Sequence, residues 1–202
     1  SIERPIVFGN NDTPGVVLAS AAKEYMKVYG VLVGKKPVIF TNNDSAYETA
    51  IEFKKNNINP IVLDSRKNPQ SEIIKEALSL GIEVKFSRVV VAAKGYKKVK
   101  SAEISEISKD KKNLGSIKNI KCDCICVSGY WTPTIHLASQ SGSKTKFVED
   151  IDAFIPDKSK QKEITLGSAN GVFTLDETLK TSFQKGYELS KEITNQDNKL
   201  QS

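Results

Sequence analysis

Between Val38 and Phe86 three short apolar runs alternate with two amphipathic stretches, and few folds accept that alternation. Val38-Ile39-Phe40 reads as a buried strand, and Asp44 or Ser45 can cap a helix beyond it. Ala46, Tyr47, Ala50, Ile51 and Lys54 form the inner stripe of that helix, which Asn56-Asn57 ends. Ile61-Val62-Leu63 is a second strand closing on Asp64, and a second helix from about Pro69 to Leu80 buries Ile73, Ile74, Ala77 and Leu78. Gly81 ends it, and Ile82–Phe86 is a third strand. Strands joined by helices in this way build a parallel α/β sheet with right-handed crossovers.

The flanks read differently. Asn10–Gly15 is a turn expected to open a helix, with Asp12 or Thr13 as cap, Pro14 in the first turn and Gly30 as the stop. Its apolar stripe is expected to be Leu18, Ala21, Ala22, Tyr25 and Tyr29. Val89–Ala93 and Val99–Ile107 suggest an antiparallel hairpin or three-stranded meander, followed by a surface turn at Lys109–Lys112 with Gly115. Cys122–Val127 is another buried strand, running into Ser128-Gly129. Ile164-Thr165-Leu166 reads as a strand before the turn Gly167–Gly171, and Leu175, Leu179, Phe183 and Leu189 outline a last helix to Ile193. Thr194–Ser202 is a polar tail.

Composition excludes several classes. With 39% hydrophobic and 27% charged residues the chain is globular in type. No apolar run approaches the ~18–20 residues of a membrane helix, and Ile6–Phe8 is too short for a signal peptide. Cys122, Cys124 and Cys126 are poorly spaced to bridge one another and are expected to pack on one strand face, which points to a reducing, cytoplasmic setting. The net charge of +6 is that of Lys94–Lys121 alone, where nine lysines face three acids. Only three of the 30 basic residues are Arg, and Tyr96 is the one aromatic in that stretch, so a solvated hairpin is expected rather than a nucleic-acid surface.

The segment Val38–Asp64 has the layout of a dinucleotide-binding βαβ unit: strand, tight turn, helix, strand, terminal acid. Asp64 lies 21 residues after Asn43, where such units hold an acid for a ribose. The three glycine positions hold Thr41, Asn43 and Ala46. Ala suits the third, where helix and strand pack closely, whereas Thr and Asn carry side chains expected to intrude where phosphate oxygens lie. Asn42, Asn43 and Asp44 can offer polar contacts, although Asp44 would repel a phosphate. The unit is either an unconventional nucleotide site or a scaffold. Gly167-Ser168-Ala169-Asn170-Gly171 is a second anion-friendly turn, or a cap opening the last helix. The single histidine, His136, rules out a mechanism needing two and is expected to be buried or to cap a turn. No catalytic residue and no metal site can be assigned.

Three stretches carry a resemblance. Arg4–Ala50 (RPIVFGNNDTPGVVLASAAKEYMKVYGVLVGKKPVIFTNNDSAYETA), Ser128–Gly142 (SGYWTPTIHLASQSG) and Gly167–Leu179 (GSANGVFTLDETL) closely resemble the alpha subunits of heterotetrameric sarcosine oxidases. More broadly the layout resembles flavoprotein oxidoreductases with two dinucleotide domains, one inserted into the other. The resemblance implies an α/β fold in which residues 35–127 are a Rossmann-like inserted NAD(P)-binding domain with an antiparallel β-meander. Residues 1–34 would be a crossover segment of the host domain, residues 128–193 its return, and 194–202 a tail. It implies a complex oxidising sarcosine to glycine and hydrogen peroxide, with the one-carbon unit passed to tetrahydrofolate. NAD would meet a partial site among Thr41, Asn42, Asn43, Ser45, Asp64, Ser128, Gly129, Gly167, Ser168 and Asn170. FAD, FMN and tetrahydrofolate belong to the intact complex, whose partners are the beta, gamma and delta subunits and the rest of the alpha subunit. The family's upstream glycine fingerprint and its folate domain are absent, so the chain reads as an excised central segment, inactive alone. Opine oxidases and hydrogen cyanide synthase share the layout and remain alternatives, as does a non-catalytic interaction domain.

Overall fold

The computed structural model describes residues 1–108, 110 and 112–200, with 194–200 described by their backbone only. Part of the expected Lys109–Lys112 turn and the end of the polar tail lie outside the described residues. The chain divides into two compact units, one formed by Glu3–Tyr130 and the other by Ser1–Ile2 with the chain from Trp131 onward.

After a two-residue strand, β1 (Ile2–Glu3), the first unit builds β2 (Val16–Leu18), α1 (Ala19–Tyr29), β3 (Pro37–Thr41), α2 (Ser45–Lys55), β4 (Ile61–Asp64), α3 (Glu72–Ser79) and β5 (Glu83–Phe86). It continues with β6 (Arg88–Lys94), β7 (Ser101–Glu106), β8 (Lys118–Lys121) and β9 (Cys124–Ser128). Strands β2-β9-β3-β4-β5 form one five-stranded sheet in that order, every pairing parallel. Strands β6-β7-β8 form a separate antiparallel meander.

Period-two alternation explains the layering. On β3, Ile39 joins Ala19, Tyr47, Phe53, Ile74 and Ala77 in the core under the three helices. Its neighbours Val38 and Phe40 join Val90, Val99, Ile104 and Phe8 in a second core under the meander. A sheet buried on both faces needs near-continuous apolar strands, and β3 and β9 are buried along their whole length. Burying a side chain as large as Phe53 contributes about 1.5–3 kcal/mol.

Several expectations are corrected. Asn10–Thr13 turns into a strand and not a helix: β-branched Val16 and Val17 pair with Ile125 and Cys126 of β9, and α1 starts only at Ala19. The later start shifts the buried stripe to Ala19, Ala22 and Met26, leaving Tyr25 and Tyr29 exposed. Gly30 does end α1, in the left-handed conformation at φ 63°. Residues 3–34 therefore contribute an edge strand and a helix to this unit. Leu78 is half-exposed, whereas Ile74 and Ala77 of α3 are buried and Ile73 packs partly buried against the same core.

The three cysteines do not share one face. Cys122 precedes β9 and packs under the meander, whereas Cys124 and Cys126 pack under the helices. Asp123 turns the chain between them, its carboxylate accepting the N–H groups of Lys35 and Lys36 at 2.8 and 2.7 Å. All three thiols are free and buried. Burial pushes the Cys122 thiol up to about 12, so it stays protonated at neutral pH.

In the second unit, β10 (Trp131–Thr132) and α4 (His136–Gln140) precede a hairpin of β11 (Thr145–Val148) and β12 (Ala153–Pro156). His136 is exposed at the start of α4, not buried. Ile164–Leu166 is not a strand, since no described strand offers its backbone a partner. The helix α5 (Leu175–Leu200) runs past Ile193, with no Gly or Pro there to stop it. Leu175, Leu179, Phe183 and Tyr187, spaced four apart along it, are all exposed.

Candidate functional site

The C-terminal ends of parallel strands are where open α/β sheets bind ligands. Here the register sets Ser128, Thr41 and Asp64 side by side on β9, β3 and β4. The turn Asn42-Asn43-Asp44 leaves the sheet at this edge and feeds α2.

The turn holds itself by inward hydrogen bonds. Asn43 N–H donates to the Thr41 hydroxyl at 3.0 Å, and that hydroxyl donates to the Asn43 carbonyl at 3.0 Å. Asn43 Nδ2 donates to the Ser128 carbonyl and hydroxyl oxygens, both at 3.1 Å. Asn43 Oδ1 accepts the Ser45 N–H at 3.0 Å and the Ser45 hydroxyl at 2.7 Å, so Asn43 rather than Asp44 or Ser45 supplies the capping side chain of α2. Thr41 and Asn43 are buried and do not intrude on the space outside the turn, which corrects the expectation from their side chains. Asn42 stands exposed beside them. Ala46, buried at the third position, lets α2 lie close to the sheet.

Asp64 is wholly committed. Its side chain is 0% exposed. Its two oxygens accept the Tyr47 hydroxyl at 2.8 Å, the Arg66 N–H at 2.9 Å, Arg66 Nε at 3.1 and 3.3 Å, and Arg66 Nη2 at 2.8 Å. A carboxylate has about four lone-pair sites, and these bonds fill them. As folded, Asp64 has no acceptor left for a ribose. Arg66 Nη2 also reaches Asp44 Oδ1 at 2.7 Å. Burial, then the neighbouring Asp64, pushes the Tyr47 hydroxyl above its ordinary range, keeping it a donor. Burial alone would lower the Arg66 guanidinium, but its bonds to Asp64 and Asp44 hold it above its ordinary value.

Arg66 was absent from the residues expected at this site. One signal pointed to it: it is one of only three arginines and follows the strand-end acid by two residues. Beyond it a cleft of about 690 Å³ opens, lined by Ser65, Arg66, Lys67, Ser87, Ser108 and Asn113 among others.

Gly129 is placed for chain packing. Its N–H donates to the Arg4 carbonyl at 2.7 Å, and a Cβ there would lie 3.0 Å from the carbonyl oxygens of Arg4 and Pro5. Gly167, Ser168 and Asn170 belong to the second unit, in one 3₁₀ turn. That turn does not open α5. Thr174 does, with its hydroxyl bonded to Glu177 at 2.8 Å in the Thr-x-x-Glu spacing of a capping box. Among the described residues no cluster of His, Cys, Asp or Glu could hold a metal, and no helix is long and apolar enough to cross a membrane.

No family model matches the chain. It is 33% identical over 186 residues to the sarcosine oxidase subunit alpha of Corynebacterium sp. strain P-1, covering 91% of this chain and 19% of that protein. The corresponding subunit of Rhizobium meliloti is 32% identical over 175 residues, covering 83% of this chain and 16% of that protein. The chain thus spans about a fifth of the length of the curated relatives it matches. Among solved structures, Lactococcus lactis thioredoxin reductase superposes with a TM-score of 0.70 at 15% identity, over 96% of this chain and 64% of its own. Mycobacterium tuberculosis FprA, solved in complex with NADPH, gives 0.62 at 11% identity over 97% and 62%. These likenesses carry the fold alone. By sequence, then, the chain matches one segment of the sarcosine oxidase alpha subunit, and it carries that segment on a Rossmann-type α/β fold.

Proposed function

We propose that the chain supplies the pyridine-nucleotide domain of a sarcosine-oxidase-type alpha subunit in a flavin- and NAD-containing complex. Such a complex oxidises sarcosine with oxygen to glycine and hydrogen peroxide, and the one-carbon unit passes to tetrahydrofolate. The observation that carries this reading is the 33% identity over 91% of the chain, since the fold by itself serves many oxidoreductases. The chain's own residues hold and orient, and none of them does the chemistry. FAD, FMN and tetrahydrofolate lie elsewhere in the complex, which works in the cytoplasm.

The site fits NAD in one half. Thr41 and Asn43 are buried and Ala46 is small, so none of these three side chains would stand in the way of a pyrophosphate beside the N-terminus of α2. The ribose half fits only if Arg66 yields, because Asp64 is saturated. NAD held there would be either a hydride carrier or a structural dinucleotide. The exposed stripe Leu175, Leu179, Phe183 and Tyr187 is the face on which the rest of the alpha subunit packs, with the beta, gamma and delta subunits beyond.

Deleting the encoding gene tests the reading. Extracts should lose sarcosine-dependent peroxide formation. Loss of opine- or glycine-dependent oxidation instead would favour an opine oxidase or hydrogen cyanide synthase. The saturation of Asp64 favours one further reading, a scaffold whose βαβ unit has lost its nucleotide. The absence of any calorimetric signal with NAD on the full subunit would establish it.

A further inference from the structure

Two carboxylates hold Arg66, and they do so from different environments. Asp64 grips Nε and Nη2 from within the protein, at 2.8–3.3 Å, with its side chain 0% exposed. Asp44 meets the same Nη2 at 2.7 Å from the turn after β3, with its side chain 43% exposed. Asp64 therefore fixes the arginine, and Asp44 only covers it. The guanidinium also lines the cleft of about 690 Å³, next to Lys67 and the hydroxyls of Ser65, Ser87 and Ser108. That lining sets Arg66 and Lys67 against one acid, Glu106, which is itself paired with Arg88 at 3.1 Å. The exposed partner of its fixed cation is a carboxylate, which has the charge and the acceptor geometry of a ligand phosphate oxygen.

We propose that Asp44 is an internal competitor for Arg66, occupying it until a phosphate-bearing nucleotide displaces it. The inference rests on the nucleotide-binding reading above and adds which group on the ligand is sensed. The exchange makes and breaks no covalent bond. Arg66 releases Asp44 and donates to a phosphate oxygen in its place. A nucleoside without phosphate gains nothing from the exchange, so the cleft discriminates nucleotides from nucleosides. The bridged fraction of Arg66 lowers apparent affinity in proportion. Removing an ion pair this exposed should therefore tighten binding by about two- to fivefold.

The test is calorimetric titration of the full subunit and its Asp44→Asn variant with ADP and with adenosine. Asp44→Ser serves as a second variant, and thermal melts verify that each is folded. Glu48→Gln removes the same charge one turn along α2 without touching Arg66, and its effect isolates long-range electrostatics. The expected result is ADP binding about two- to fivefold tighter in both Asp44 variants, unchanged in Glu48→Gln, with adenosine indifferent to all three. Equal ADP affinity in wild type and variants, or an equal gain in Glu48→Gln, overturns the competitor role and leaves the nucleotide reading standing. No ADP binding to any of the proteins overturns the nucleotide reading, and this proposal with it.

Discussion

The side-chain amide of Asn43 donates to both the carbonyl and the hydroxyl oxygen of Ser128 at 3.1 Å, tying the turn after β3 to the end of β9. Asn43→Ala removes these bonds and the cap on Ser45 together. The expected loss is about 2 kcal/mol, a buried hydrogen-bonded group plus a helix cap. Urea unfolding measures it, and a loss below about 0.5 kcal/mol would show that the network is dispensable.

Asp64→Asn takes the buried charge away from Arg66. The pair is only half-buried, since the Arg66 side chain keeps 31% of its surface in solvent, so screening discounts the cost. About 2–4 kcal/mol should be lost. Tyr47→Phe, which leaves Arg66 on the carboxylate, should cost about 1–2 kcal/mol. The order of the two variants in a denaturation series is the check.

Alkali should destabilise the first unit. The Cys122 thiol ionises near 9.0 in an unfolded chain and near 12 when folded, so the unfolded state binds fewer protons between these values. A raised acid of this kind gives stability that is complete below pH 9.0 and is lost as pH climbs toward about 12. Tyr47, raised from 10.0, acts in the same direction. Urea midpoints at pH 7, 9 and 11, under a reductant, should be level and then fall. Cys122→Ala should make the fall shallower.

Phe183 is 80% exposed on α5. Phe183→Glu should change stability by no more than about 0.5 kcal/mol. It should reduce self-association measured by light scattering, because it interrupts the stripe of Leu175, Leu179 and Tyr187.

The lysine-rich meander should ignore nucleic acid. Lys94 is paired with Glu103 at 3.2 Å and Arg88 with Glu106 at 3.1 Å, and Tyr96 offers a single exposed ring. A 30-base-pair duplex at low salt should migrate unretarded. Retention that falls steeply with salt would contradict this.

How far the sequence could be read followed the range of the interactions. β3, α2, β4, α3 and β5 were legible because each writes its own period and its own stop signal. β2 was not, because Val16-Val17-Leu18 merges with the apolar start of α1 and becomes a strand only by pairing with β9, far along the chain. The same blindness affected the site. The turn could be located from its neighbours, but whether Asn43 points outward or inward depends on Ser128. Asp64 could be placed at its strand end, yet its saturation by Tyr47 and Arg66 is a tertiary fact. Ile164–Leu166 shows the converse, a strand-like run with no strand beside it among the described residues.

The most direct test of the account is peroxide release by the complex purified through a tag on this polypeptide. With sarcosine as substrate, hydrogen peroxide should form in proportion to glycine, and added tetrahydrofolate should take up the one-carbon unit in place of free formaldehyde. A purified assembly that releases no peroxide from sarcosine, yet oxidises an opine or glycine, would contradict it.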